Sequence, residues 1–318
     1  MELQDEYPPV GETSIDDPQR FILELLGLAI ASILTWGIFR YITKDVFDSS
    51  VSVSFSISYA LVAPIVFIGP IMFYWYQYRN EECLPVRLFA NNSPKETFSQ
   101  KFIVSIIVIG LSLTFANYIL ELILDYIVLS SGLYGDIDFF FTWMDEFDSF
   151  FVFLIFMVTN IAVVATVEEF FFRGFIQDQL SRVLQAWQSM LISAAIFALT
   201  HLPIAIFVYE IESVWLITSL INWFGFGLAA GYVYHISRNI WVVIAWHGIW
   251  NVTVSTIEYS AWVYDAPSQG LEQFIWTSQT ILIYALLLLA IYFTRDYIKE
   301  FGSFENKSSA PKTIEVKL

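Results

Sequence analysis

Two glutamates are adjacent at 168 and 169, an arginine follows at 173, and histidines stand at 201 and 247, the latter with an asparagine at 251. All lie in or at the edge of long apolar runs, where an ionisable group is costly and marks either a reaction site or a paired contact. A carboxylate can take a proton from water, an imidazole can hold that water, and a second imidazole with a carboxamide can donate to an oxyanion. Together these groups could run general acid–base chemistry through an activated water.

Helical spacing sorts the residues into roles. Glu169 and Arg173 are four apart with the acid first, the better order for an ion pair on one helical face. Glu168 points about 100° away around the same helix and has no intrahelical partner, so it is the carboxylate left free for chemistry. Phe197 and His201 share a face, as do His247 and Asn251, so three helices can turn polar groups toward one cavity.

The elements that must position these groups are membrane helices. Of the 318 residues, 57% are apolar and 14% charged, and mean hydropathy is +0.62; this is the composition of a polytopic membrane protein. Apolar runs of spanning length recur at about 21–43, 53–76, 102–129, 149–172, 188–208, 213–236, 239–257 and 273–295. The expected fold is therefore all-α, with about eight transmembrane helices and with helices 4, 5 and 7 around an intramembrane cavity. The chain divides into an acidic tail (1–20), one helical domain (21–296, chemistry in 160–256) and a polar tail (297–318). No small-residue cleavage site follows the first span, which reads as a retained helix.

Orientation follows from the fifteen Lys and Arg residues, of which thirteen fall on the side of both termini and two, Arg40 and Lys44, on the other. Both termini are expected in the cytoplasm of a cell-membrane protein, and the loops near 135 and 265 outside. Counted from the ends of the apolar runs, Glu168 lies about 6 Å, His247 about 12 Å and His201 about 20 Å from the cytoplasmic edge, so access from that side is expected. The net charge of −16 excludes nucleic acid as a partner, because no basic patch is available to meet phosphates. A salt-rich habitat and plain solvated loops both account for that acid excess. The single Cys83 excludes an internal disulfide.

Structural readings compete for each residue. Glu168 could reach the interface from a helix end, and either histidine could bridge helices. His235 beside Arg238 reads as interfacial, Asn222 as helix-to-helix glue, and Gly227 with Gly231 as a small-xxx-small packing pair. Glu24, Glu121 and Asp125 read as span-end acids that reach water.

Taken in order, EEFFFR at 168–173, FALTH at 197–201 and HGIWN at 247–251 fit EExxxR, FxxxH and HxxxN. On helices of a polytopic protein these resemble the CPBP intramembrane protease family, which includes the type II CAAX prenyl endopeptidases and bacteriocin-immunity relatives. The resemblance covers 160–256 and implies that Glu168 and His201 activate water, that His247 and Asn251 stabilise the oxyanion, and that Glu169 and Arg173 support the site. It further implies a membrane-associated peptide substrate, of which a prenylated C-terminus is the family's known example.

Family members are often labelled metalloproteases, and zinc on Glu168, His201 and His247 is the alternative to a metal-free reaction. The absence of an HExxH pairing favours no cofactor. A non-catalytic scaffold or immunity protein and a proton-coupled transporter are the rival functions, although no paired broken helices of the transporter kind are evident.

Overall fold

The structure, a computed structural model, describes residues 17–43, 53–78, 100–134, 137–143, 149–263 and 267–302. Within them eight helices follow one another: α1 Pro18–Thr43, α2 Val53–Tyr78, α3 Gln100–Leu129, α4 Phe150–Leu180, α5 Ala186–Phe207, α6 Ser213–Ser237, α7 Ile240–Thr256 and α8 Gln269–Gly302. Among the described residues six of them, α1, α3, α4, α5, α6 and α8, are long and apolar enough to cross a membrane. This is the all-α polytopic membrane architecture expected from the apolar runs. Cys83, Lys44, the loop 79–99, the loop positions near 135 and 265, and the tails 1–16 and 303–318 lie outside the described residues.

The distribution of exposure is that of a protein solvated by lipid. Leu23, Ile30, Leu34, Ile65, Phe73, Phe115, Phe274 and Phe293 are each more than half exposed, and apolar surface on this scale would aggregate in water. The interior is aromatic and aliphatic, with Trp36, Phe67, Phe171, Phe172, Phe175 and Trp246 fully enclosed.

Helix α7 is largely interior. Seven of its apolar or glycine positions, Ile240 through Trp250, are buried, and a side chain at Gly248 would come within 2.8 Å of the Ile161 backbone on α4. A bare backbone there lets α7 and α4 close together one residue after His247.

The up-and-down order gives the bundle two ends. Residues 18, 180, 186, 237, 240 and 302 mark one, called here the terminal end, where Arg238 lies 3.9 Å from Asp178. At the other end Ile137–Trp143 (β1) and Ile257–Val263 (β2) form an antiparallel ribbon with Ile137 opposite Val263 and Trp143 opposite Ile257. The ribbon continues α7 directly and ties the α3–α4 connection to it, a pairing that the helical periods did not reveal. Pairing satisfies the backbone groups of both segments.

Helix α4 departs from the expected span in length and winding. It runs eight residues past 172 to Leu180, because Arg173, Gln177 and Gln179 are buried by interior partners and so do not mark an exit to water. Its α-helical turn Ala165–Glu169 is flanked by π-helical turns, Thr159–Val164 and Phe170–Gln177. Such widened turns are rare and concentrate at functional positions.

Candidate active site

The α-helical turn of α4 presents Glu168 and Glu169 on different sides, as their 100° offset requires, and both are enclosed: Glu168 is 6% exposed, Glu169 and Arg173 0%, His247 4%. The Glu169 Oε1 accepts from Arg173 Nη1 at 2.8 Å and from His247 Nδ1 at 2.6 Å. Arg173 is held further by Nη2 donating to the Gly227 carbonyl at 3.1 Å and by its guanidinium lying 4.7 Å over the Phe197 ring. The ion pair expected from i, i+4 spacing is therefore present, but its place is the protein interior and not the membrane boundary.

Gly227 and Gly231 perform the expected packing, since a Cβ at Gly227 would press on the Ala194 backbone at 3.1 Å. Their carbonyls do more: Gly231 accepts from Gln177 Nε2 at 3.0 Å, parallel to the Arg173 contact one turn away. The close approach was legible in the small-residue spacing; the anchoring of α4 to α6 through backbone carbonyls was not.

Glu168 faces the other way, into a cavity of about 230 Å³ lined also by Tyr59, His201, His247 and Asn251. Tyr59 donates its hydroxyl to Glu168 Oε1 at 3.1 Å, and Glu168 Oε2 lies 3.8 Å from His247 Nε2. The four residues expected to do chemistry thus border one space, with Glu169 and Arg173 directly behind it. Tyr59 was not foreseen; a lone tyrosine in the apolar run of α2 has no spacing signal that singles it out.

The hydrogen bonds fix the state of each imidazole. His201 Nδ1 is 2.9 Å from the Phe197 carbonyl, which can only accept, so Nδ1 carries hydrogen, and in the neutral ring Nε2 keeps its lone pair. Trp223 stacks on the His201 ring at 4.8 Å and 20°, setting its plane. His247 donates from Nδ1 to the Glu169 carboxylate, which leaves Nε2 as the atom turned to Glu168. It accepts a hydrogen bond when neutral and donates one when charged.

The direction of access differs from the expected one. From Glu168 the lining continues through Asn160, Ile204 and Val254 to Arg40, Tyr209 and Ser255, all toward the ribbon end. On the terminal side Phe171, Phe172, Phe175 and Ile176 are wholly buried and fill the space below the site. The apolar-run count placed Glu168 close to the terminal edge because it ended α4 too early. With α4 extended, Glu168 is about 18 Å from Leu180, and the cavity leads away from the side that carries the termini. Arg40, read as a loop charge, is 6% exposed and lines this cavity.

Among the described residues no three His, Cys, Asp or Glu side chains are grouped as a metal ion would need. Of the residues read as structural, Asn222 accepts from Tyr284 at 2.8 Å as helix glue, and His235 borders a small crevice with Asp178 and Arg238 at the terminal end.

No curated protein matches the chain. Residues 150–253, about a third of the chain and the part that holds all seven motif residues, match the model of one family, described as type II CAAX prenyl endopeptidase Rce1-like. That segment, from the start of α4 to the second half of α7, is thus similar to the Rce1-like endopeptidases, in agreement with the wider family that the three motifs resemble.

Proposed function

We propose that the protein is an intramembrane endopeptidase that hydrolyses a peptide bond of a membrane-associated substrate. The observation that carries this reading is the convergence of Glu168, His201, His247 and Asn251 on one cavity, with the Glu169–Arg173 pair buried behind His247. A scaffold has no use for this set of groups.

In the reaction, one water sits between Glu168 Oε2 and the bare Nε2 of His201. Glu168 takes a proton from the water, whose oxygen attacks the carbonyl carbon of the scissile bond. The oxyanion that forms is met by the Asn251 amide and by His247, which donates from Nε2 in its charged form while Glu169 balances that charge. The C–N bond then breaks as Glu168 passes its proton to the leaving amine. Tyr59 orients the Glu168 carboxylate throughout. Cleavage of a lipid-anchored peptide by protein in liposomes tests the reading, and intact peptide after many hours with folded protein would refute it.

The reaction so written uses no metal, and chelation provides the check. Activity should survive excess EDTA and phenanthroline. Stoichiometric zinc, lost together with activity and restored with it, would make His201 and His247 ligands instead.

The membrane orientation belongs to the same proposal. With Arg173 and Arg40 counted as interior, twelve of the remaining thirteen Lys and Arg residues flank the terminal end and only Lys44 the ribbon end. The termini are then cytoplasmic in the cell membrane, and the catalytic cavity takes its substrate from the outer half of the bilayer. In intact cells carrying Cys83→Ser, an impermeant thiol reagent should label a cysteine placed at 210 and spare one at 299. The reverse pattern would invert the orientation and open the site to the cytoplasm.

A further inference from the structure

A second polar cluster stands apart from the catalytic cavity. Asn117, Glu121 and Asp125 succeed one another at four-residue intervals on α3, so they form one stripe along a single face. Glu121 is about 12 Å from the end of α3 at Leu129, too deep for a carboxylate that merely reaches the interface. Across the helix contact Gln279 of α8 donates its Nε2 to Asp125 Oδ1.

Protein partners leave two features of this stripe unexplained. Among the described residues, no Lys, Arg or His pairs with Glu121 or Asp125. In addition, the Gln279 Oε1 and the Asn117 Oδ1 are buried acceptors without a donor, in residues only 6% and 1% exposed. Two carboxylates one turn apart inside a membrane span repel each other, and buried carbonyl oxygens without donors add to the cost. A cation removes both penalties.

We propose that Glu121, Asp125 and the Gln279 carbonyl bind a hard metal cation between α3 and α8, entering from the ribbon end. The donors are all oxygen, with no imidazole or thiolate, which selects against zinc and copper. Two carboxylates match a divalent charge, and an irregular shell with an amide oxygen suits calcium better than magnesium, which demands near-octahedral geometry. The bound ion clamps α3 to α8.

Thermal unfolding of the full-length protein in detergent, stripped with EDTA and titrated with CaCl₂, MgCl₂, NaCl or choline chloride at constant ionic strength, tests the site. Calcium should raise the melting temperature saturably and at lower concentration than magnesium or sodium, with choline inert. Glu121→Gln and Gln279→Leu should each raise the half-saturating calcium concentration about tenfold or more, because charge and ligand count set affinity at such sites. Glu168→Gln should retain the full calcium response, which keeps this test separate from that of the proposed hydrolysis. Equal melting in all four salts, or stabilisation of stripped protein by acid alone with no response to cations, would show that the carboxylates are held by protons and overturn the proposal. Equilibrium dialysis against radioactive calcium decides the same question if Glu121→Gln folds poorly: wild-type protein should bind one ion, and no binding would refute the site.

Discussion

Glu168→Gln should leave a folded, membrane-inserted protein that cleaves its substrate at least about 10²- to 10⁴-fold more slowly. The amide has nearly the shape of the carboxylate and can still accept from the Tyr59 hydroxyl, which now lies 3.1 Å from Glu168 Oε1. What it cannot do is take a proton from the attacking water. Glu168 makes no close ion pair with Arg173, so the change should cost little stability. Single-turnover cleavage of a lipid-anchored peptide, together with a melting curve, separates the two effects. A variant that folds and turns over like wild type would make Glu168 a structural carboxylate.

Glu169→Gln and Arg173→Ala should fail differently, through the fold first. Both partners are fully buried, and Glu169 Oε1 serves Arg173 and His247 at once. Removing one charge leaves the other without compensation in the interior, a loss of about 3–5 kcal/mol where an exposed pair would cost well under 1 kcal/mol. The double change Glu169→Gln with Arg173→Met should recover much of the stability, because no lone charge remains, while activity stays low because His247 has lost its carboxylate. Such non-additivity is the mark of a coupled pair. Additive melting-temperature losses in the double variant would show that the pair is incidental.

The helices were legible because apolar runs of spanning length admit few other structures in lipid, and all eight appear near the expected positions. The grouping of His201, His247 and Glu168 was legible from four-residue spacing within each helix combined with motif order. Three things were not. The continuation of α4 to Leu180 was hidden because Arg173 and Gln177 look like exit residues, yet they are neutralised or bonded by Glu169 and by the carbonyls of Gly227 and Gly231. A carbonyl partner leaves no trace in residue type. The direction of access was lost with it, since depth was measured from the wrong helix end. The β1–β2 ribbon joins segments more than a hundred residues apart, and strand pairing across that distance has no local signal in two short aromatic loops.

The role proposed for the cavity bordered by Glu168, His201, His247 and Asn251 is hydrolysis of peptide bonds in membrane-associated proteins. Quantitative mass spectrometry of new peptide termini in membranes of cells expressing wild-type or Glu168→Gln protein, at matched abundance, examines it without a chosen substrate. A defined set of membrane-associated proteins should carry termini that are present in the wild-type cells and absent from the variant. Identical termini in both, with both proteins folded and inserted, would contradict the claim.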